Sequence, residues 1–361
     1  MIEPYQAVGL VTTVRGIRHR DEIKHNLDHI SHLVKAASWL SSLDLPVKLI
    51  AIPEGALQGF NDEVLDLDHE DYARNCAITV PGPETDRLGE IAREMNAYVI
   101  GQGKALHPEF PNRFFNIGFI IDPDGEIILK HYKTVPLLPC EHSVTPHDVW
   151  DRWVELYGKT IDAFYPVADT KIGRIGILMA NEASYPENAR GLAMNGAEIL
   201  YRGPYPHPGV SNGMYAIQNQ ARALDNNCYL IACNDATYYL DVESDIPIDT
   251  FGGHSMIVDY RGNIVGRHDY SGASSWVVGT IDIEALRRFR ASAQWDNWMK
   301  DLKTEQYQLI YEKPIYPKNL YLDRKPYNHA EYRKEVIEKQ IALMHERGIW
   351  ARPSTPGDQD D

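Results

Sequence analysis

The stretch Gly176-Ile-Leu-Met-Ala-Asn-Glu-Ala-Ser-Tyr-Pro-Glu187 reads as a buried strand that stops at Ala180 and turns directly into a capped helix. Ser184 followed three residues later by Glu187 has the capping-box pattern, and Pro186 suits a first helical turn. Gly196 closes the helix behind Leu192 and Ala193. A strand-turn-helix corner presents its apex residue outward and aims free backbone N–H groups at whatever lies above it. That layout serves a nucleophile and an oxyanion hole. The methyl group of Ala180 cannot attack anything.

Downstream of the corner, a strand over 197–201 leads into Arg202-Gly-Pro-Tyr-Pro-His-Pro-Gly209, a Pro-rich loop that crosses the same sheet edge and suits substrate selection. Ser211 is expected to cap a helix carrying Met214, Ile217, Ala221 and Leu224 on one face, before a strand over 228–232. Upstream, residues 6–12 read as a strand, 21–43 as an amphipathic helix, and 47–52 as a strand. That last strand ends in Pro53-Glu54-Gly55, which puts a carboxylate past a strand's carboxyl end, where open α/β sheets place ligands. Gly82-Pro83 introduces another helix, followed by a strand over 97–101, so β-α-β alternation is established. A hairpin over 115–129 turns at Pro123-Asp-Gly125 and has a near copy over 253–265, which suggests two pseudo-symmetric sheets. The first hairpin runs out into Lys133, and Glu141 follows in the next loop. The aromatic stretch with Trp150, Trp153 and Tyr157 suits either a core helix or a pocket wall.

A chain of 361 residues with 43% hydrophobic content can bury a large core. Its net charge of −15 argues against nucleic acid or an anionic membrane as partner and favours small-molecule chemistry. No signal-like N-terminus or long apolar run occurs, so a cytoplasmic location is expected. Cys76, Cys140, Cys228 and Cys233 have neither zinc-site nor disulfide-framework spacing and are read as reduced thiols. Cys140 is not expected to replace the nucleophile, since its loop lacks a strand-helix corner. His25, His29 and His32 share one helix face, but a solvated polar face explains them, and no metal is assigned. The main domain is expected over 1–290. Residues 291–361 read as an arm, with a helix over 332–348 and a disordered tail from Pro353. Its Tyr, Trp and Ile residues suggest that it wraps a neighbour in a homodimer or higher oligomer.

Taken together, these residues resemble the nitrilase, or carbon-nitrogen hydrolase, superfamily over roughly residues 6–290, and within it the aliphatic amidase and carbamoyl-amide hydrolase branches. Supporting stretches are Ile52-Pro-Glu-Gly-Ala-Leu-Gln-Gly59, Gly196-Ala-Glu-Ile-Leu200, Asp225-Asn-Asn-Cys-Tyr229 and Gly253-His-Ser255. The resemblance implies an α-β-β-α sandwich, with Glu54 as general base, Lys133 and the Asn181 N–H at the oxyanion, and Glu141 positioning substrate and water. Trp150, Arg202 and Tyr205 are the expected substrate contacts. The implied reaction is hydrolysis of a small amide or N-carbamoyl compound through a thioester, with no cofactor. Nitrile hydrolysis by the same residues stands as the alternative.

The departure is at the centre: the family has cysteine where this chain has Ala180, seven residues before Glu187 of the Pro186-Glu187 pair. Glu182 also stands where relatives tend to have Asp. Two readings of Ala180 remain: a substitution that traps substrate, or a natural pseudoenzyme that serves as a binding module. In either case turnover should fall by about six decades.

Overall fold

The computed structural model describes residues 1–353; the tail expected from Pro353 otherwise lies outside the described residues. Two six-stranded sheets form the centre. In the first, the strands run in the order Ser275–Ile281, Tyr5–Val11, Val47–Ala51, Tyr98–His107, Phe110–Ile121, Ile127–Tyr132. In the second, the order is Ile264–His268, Ser255–Val258, Tyr229–Ala232, Ile199–Arg202, Gly173–Leu178, Val167–Thr170. Each sheet has three parallel strands flanked by one antiparallel strand on one side and an antiparallel hairpin on the other. The two similar hairpins of the sequence occupy equivalent outer places, so the pseudo-symmetry is real.

The central parallel strands are buried on both faces because both faces are covered, whereas outer strands such as Ile264–His268 and Ile127–Tyr132 alternate with exposed residues. Between the sheets lie Ala7, Leu49, Ile120, Ile177, Ile199, Ile231 and Val277. On the outer face of the first sheet, the helices Ile23–Ser41 and Pro83–Met95 bury Leu27, Ile30, Val34, Leu88 and Ile91. The helices Pro186–Met194 and Met214–Asn226 cover the second with Leu192, Tyr215 and Ala223. The result is the α-β-β-α sandwich. At Gly118 the sheets approach so closely that a Cβ would stand 2.7 Å from Ile177 Cγ2.

Two expected caps are replaced. Ser184 ends a short 3-10 turn, Ala180–Ser184, and its hydroxyl is buried without a partner, while Tyr185 occupies the N-cap of the following helix. The carboxylate that closes the corner is Glu182, whose Oε2 accepts from the Met179 N–H at 2.7 Å. Ser211 ends the short helix His207–Ser211, and Gly213 with φ +83° is the N-cap of the next one.

Part of the arm folds back on its own chain. Tyr321, Tyr332 and Val336 are buried, and the Asn319 and Tyr321 N–H groups donate to the His147 and Asp148 carbonyls. Leu309, Ile310 and Tyr311 stay exposed. The expected arm helix occurs as continuous helical turns from His329 to Glu346. Among the described residues no helix is long and apolar enough to cross a membrane.

Candidate active site

Three strand ends converge. Glu54 follows Val47–Ala51, Lys133 follows Ile127–Tyr132, and Ala180 follows Gly173–Leu178 of the facing sheet. They line one cavity of about 490 Å³ together with Glu141, Cys140, Tyr205 and a largely apolar wall that includes Phe60, Tyr238, Ile248 and Phe251. Gly203 lets the loop after Ile199–Arg202 lie against the site, since a Cβ there would be 2.9 Å from Glu54 Cβ.

Lys133, Glu54 and Glu141 share one hydrogen-bond network. Lys133 Nζ donates to Glu54 Oε1 and Glu141 Oε2, each at 2.7 Å. Asn116 Nδ2 donates to Glu54 Oε1 at 2.6 Å and Glu141 Oε1 at 2.8 Å. Glu141 also accepts from Ser143 Oγ and the Leu137 N–H. Asn116 is itself oriented by Gln102, which accepts the Gly55 N–H at 2.9 Å and so ties the network to the Glu54 loop. Glu54 Oε2 is buried and has no partner.

The two glutamates are driven apart by these surroundings. Burial raises Glu54 above the ordinary carboxyl value, and neighbouring Glu141 adds to the rise against the pull of Lys133. Burial would also raise Glu141, but Lys133, Lys104 and the Ser143 hydroxyl overcome it and hold it at about 2. Burial opposes the charge on Lys133, yet Glu141 and Glu54 push its pKa upward. The arrangement is one permanent ion pair and one carboxyl with heightened proton affinity. That combination suits a proton-transferring group beside a fixed cation.

The corner carries backbone strain. Ala180 has φ +36°, a region unfavourable for any residue with a Cβ. Glu182 holds it from below, accepting from the Thr134 N–H at 2.7 Å, Thr134 Oγ1 at 2.6 Å and His131 Nε2 at 2.9 Å. Burial acts to raise Glu182, but His131 and these hydrogen bonds bring it below the ordinary value. The longer side chain therefore links the corner directly to the residue after Lys133. Asn181 lies in the turn with its side-chain amide donating to the Pro136 carbonyl at 2.8 Å.

Residues 12–291 match the carbon-nitrogen hydrolase family. This chain belongs to that family. Among curated relatives, a formamidase of Bacillus cereus (strain B4264) is 30% identical over 237 residues, 64% of each chain. A formamidase of Bacillus thuringiensis (strain Al Hakam) is 30% identical over 220 residues, 60% of this chain and 59% of that one. The matches thus span about three fifths of the relatives' length. Saccharomyces cerevisiae Nit3, a member of branch 10 of the nitrilase superfamily, superposes with TM-score 0.60 at 21% identity, covering 81% of this chain and 95% of that one. An amidase from Nesterenkonia sp. gives TM-score 0.60 at 17% identity, covering 85% and 96%. These likenesses show the fold.

Not every expected contact of this chain reaches the cavity. Trp150 stacks on Phe164 and lines a separate hollow of about 390 Å³ with Asp148 and Tyr316. Arg202 is fully buried, donating to the Ala180 carbonyl at 3.3 Å, Asn219 Oδ1 and Gln218 Oε1. It supports the corner from beneath, because strand alternation turns its side chain toward the helix Met214–Asn226. The sequence reading missed Asn116, Gln102 and Glu63. The signal was present: Asn116 and Gln102 are amides inside otherwise apolar or Gly-flanked strands, and a buried amide must have partners. Burial keeps the cavity's Cys140 above the ordinary thiol value, with Glu63, Asp66 and Glu141 adding to the effect.

Proposed function

We propose that this site is built to hydrolyse a small amide or N-carbamoyl compound, and that the Ala180 form binds such a substrate without consuming it. The observation that carries the reading is the meeting of Glu54, Lys133 and Glu141 at a cavity whose apex is the strained Ala180. With cysteine at 180, Glu54 takes the thiol proton and the sulfur attacks the carbonyl carbon, while Lys133 and the Asn181 N–H face the developing oxyanion. The C–N bond then breaks, and Glu54 returns the proton to the departing nitrogen. Water, held at Glu141 and deprotonated by Glu54, attacks the thioester and releases the acid and the thiol.

Alanine removes a reactant and leaves the cation, carboxylates and apolar wall in place. The formamidase relatives and the amidase neighbour favour an amide over a nitrile. A natural pseudoenzyme remains the second reading of Ala180, and the codon at 180 in the native gene separates it from a trapping substitution. The exposed Leu309, Ile310 and Tyr311 support a second copy of the chain as partner, tested by light scattering of the chain with and without residues 291–361.

The deciding experiment measures ammonia release by Ala180→Cys on amides, N-carbamoyl compounds and nitriles, with calorimetry of the Ala180 form on whichever is turned over. Turnover by the cysteine form, with one-to-one binding and no ammonia from the alanine form, is expected. A folded Ala180→Cys protein inert to all three classes would overturn the proposal.

A further inference from the structure

Outside the cavity, Asp66, His142 and His329 bring one carboxylate oxygen and two imidazole nitrogens to within 4.8 Å of one another. His142 Nε2 lies 3.1 Å from Asp66 Oδ1, and His329 Nε2 lies 3.6 Å from the same oxygen. Ligand atoms around a tetrahedral zinc ion, each about 2.0–2.1 Å from the metal, are separated by about 3.3 Å, so both distances sit close to a tetrahedral edge. We propose that these three side chains form a site for one divalent transition-metal ion of the zinc type.

A second observation points the same way. His142 is 4% exposed and its Nε2 has no hydrogen-bond partner, because the nearby Asp66 oxygen is not aligned with it. A buried imidazole nitrogen left in that state carries a desolvation cost that an ion would offset. The backbone around it is fixed, with the His142 carbonyl 2.9 Å from His69 Nδ1. Asp66 Oδ1 also accepts the His329 N–H at 3.1 Å.

His329 is the movable ligand. Its Nε2 lies 3.0 Å from the Cys140 carbonyl, and its ring stacks on His142 at 5.0 Å with planes 20° apart. Capture requires the half-exposed His329 ring to tilt, moving its proton to Nδ1 so that the Nε2 lone pair faces the ion. The Cys140 carbonyl is then released or becomes an oxygen ligand. The ion would join three segments: the loop after Asn61–Val64, the loop bearing Glu141, and the start of the arm helix His329–Tyr332. Glu63, in the helix leading into the first of these, and Glu141, on the second, line the cavity, so loading would fix the arm against two of its walls. This assignment does not rest on the amide-hydrolysis reading.

The test uses the full chain, stripped with a chelator and titrated with zinc chloride alone by calorimetry, then with Co²⁺ by visible absorption. One saturable site per chain is expected, with low-coordinate Co²⁺ bands that lack thiolate charge transfer. Affinity should fall at least tenfold in His329→Ala and in Asp66→Asn, and stay unchanged when His25 and His29 are both replaced by alanine. Slower proteolysis of the arm in the presence of Zn²⁺ should accompany loading. Absence of saturation, equal affinity in His329→Ala and Asp66→Asn (an adventitious ion only), or a thiolate–Co²⁺ band from Cys140 would each overturn the assignment. Asp66→Asn changes no size, and the Co²⁺ spectrum needs no variant, so a misfolded His329→Ala does not block the decision.

Discussion

Two buried lysines flank the strand Phe110–Ile121, each between two carboxylates, and they have different fates. Lys104 lies within the strand Tyr98–His107, directly across from Asn116, and is held by Asp62 and by Glu63 at 2.9 Å. The Phe60 and Tyr72 rings, 5.7 Å and 5.5 Å away, cover it. Lys133 lies just past the end of its strand, and its carboxylates face a cavity. Position along the strand makes the difference: a mid-strand cation is sealed by neighbouring strands and helices, whereas a strand-end cation meets the loops that form a site. Glu63 joins the two clusters, since it lines the cavity while bonded to Lys104. Burial raises it to about 8 against the pull of Lys104.

The largest expected effect tests this division of labour. In the Ala180→Cys background, Glu54→Gln or Lys133→Ala should lower kcat by three decades or more, roughly as removal of key charge-stabilising groups does in other hydrolases. Lys104→Met should leave kcat within about tenfold, the scale of a small shift in site geometry. Steady-state rates with matched melting curves check it, and a greater kinetic loss in Lys104→Met would erase the distinction.

Stability should respond in the opposite sense. Lys104→Met strands the Asp62 carboxylate without its cation and takes a hydrogen-bond donor from Glu63, and is expected to cost on the order of 3–5 kcal/mol in urea denaturation. A loss below about 1 kcal/mol would mean that water reaches the cluster.

Acid titration sharpens the comparison. Glu141 is held at about 2, below its ordinary 4.5, so its stabilisation is present above pH 4.5 and is lost as pH falls toward 2. The loss should be on the order of 3 kcal/mol. Because Lys133 contributes more to this depression than Lys104, Lys133→Met should shrink the loss of stability between pH 4.5 and 2 more than Lys104→Met does, read from denaturant midpoints across that range. Equal pH dependence in the two variants would contradict the assignment.

The smallest effect concerns an acid with no lysine. Asp235 is fully buried, neither carboxyl oxygen has a partner, and burial, followed by Glu54 and Asp249, raises it well above 3.8. The unfolded chain loses this proton more readily than the folded one, so the group costs stability as pH rises above 3.8. Asp235→Asn should therefore gain about 1–2 kcal/mol at pH 7 and almost nothing near pH 3, measured by denaturant midpoints. A loss at pH 7 would show that the carboxyl has a partner in solution.

Much of this architecture was legible in the chain. Alternating apolar strands and amphipathic helices gave the α/β class and the repeated hairpin gave the pseudo-symmetry, whereas Glu54 and Lys133 stood at strand ends as ordinary loop charges until the resemblance to the family singled them out with Ala180. Trp150 was open to two readings because a short aromatic helix has the same pattern whether it packs as core or walls a pocket. The role of Glu182 was underestimated, since nothing local to it announces Thr134 and His131 as partners.

By itself, then, the sequence determined what nearest-neighbour chemistry controls: the elements, their order, the corner at Ala180, and the residues standing at strand ends. The tertiary structure alone decided which side chains share an environment. It placed Asn116 between two glutamates, turned Arg202 beneath the corner, sealed Lys104 while exposing the Lys133 cluster to a cavity, and brought His329 to His142 and Asp66. These outcomes depend on register, on sheet-to-sheet packing and on the path of a distant arm. Such long-range terms leave no periodic trace in the chain, because burial and proton affinity are set by neighbours in space.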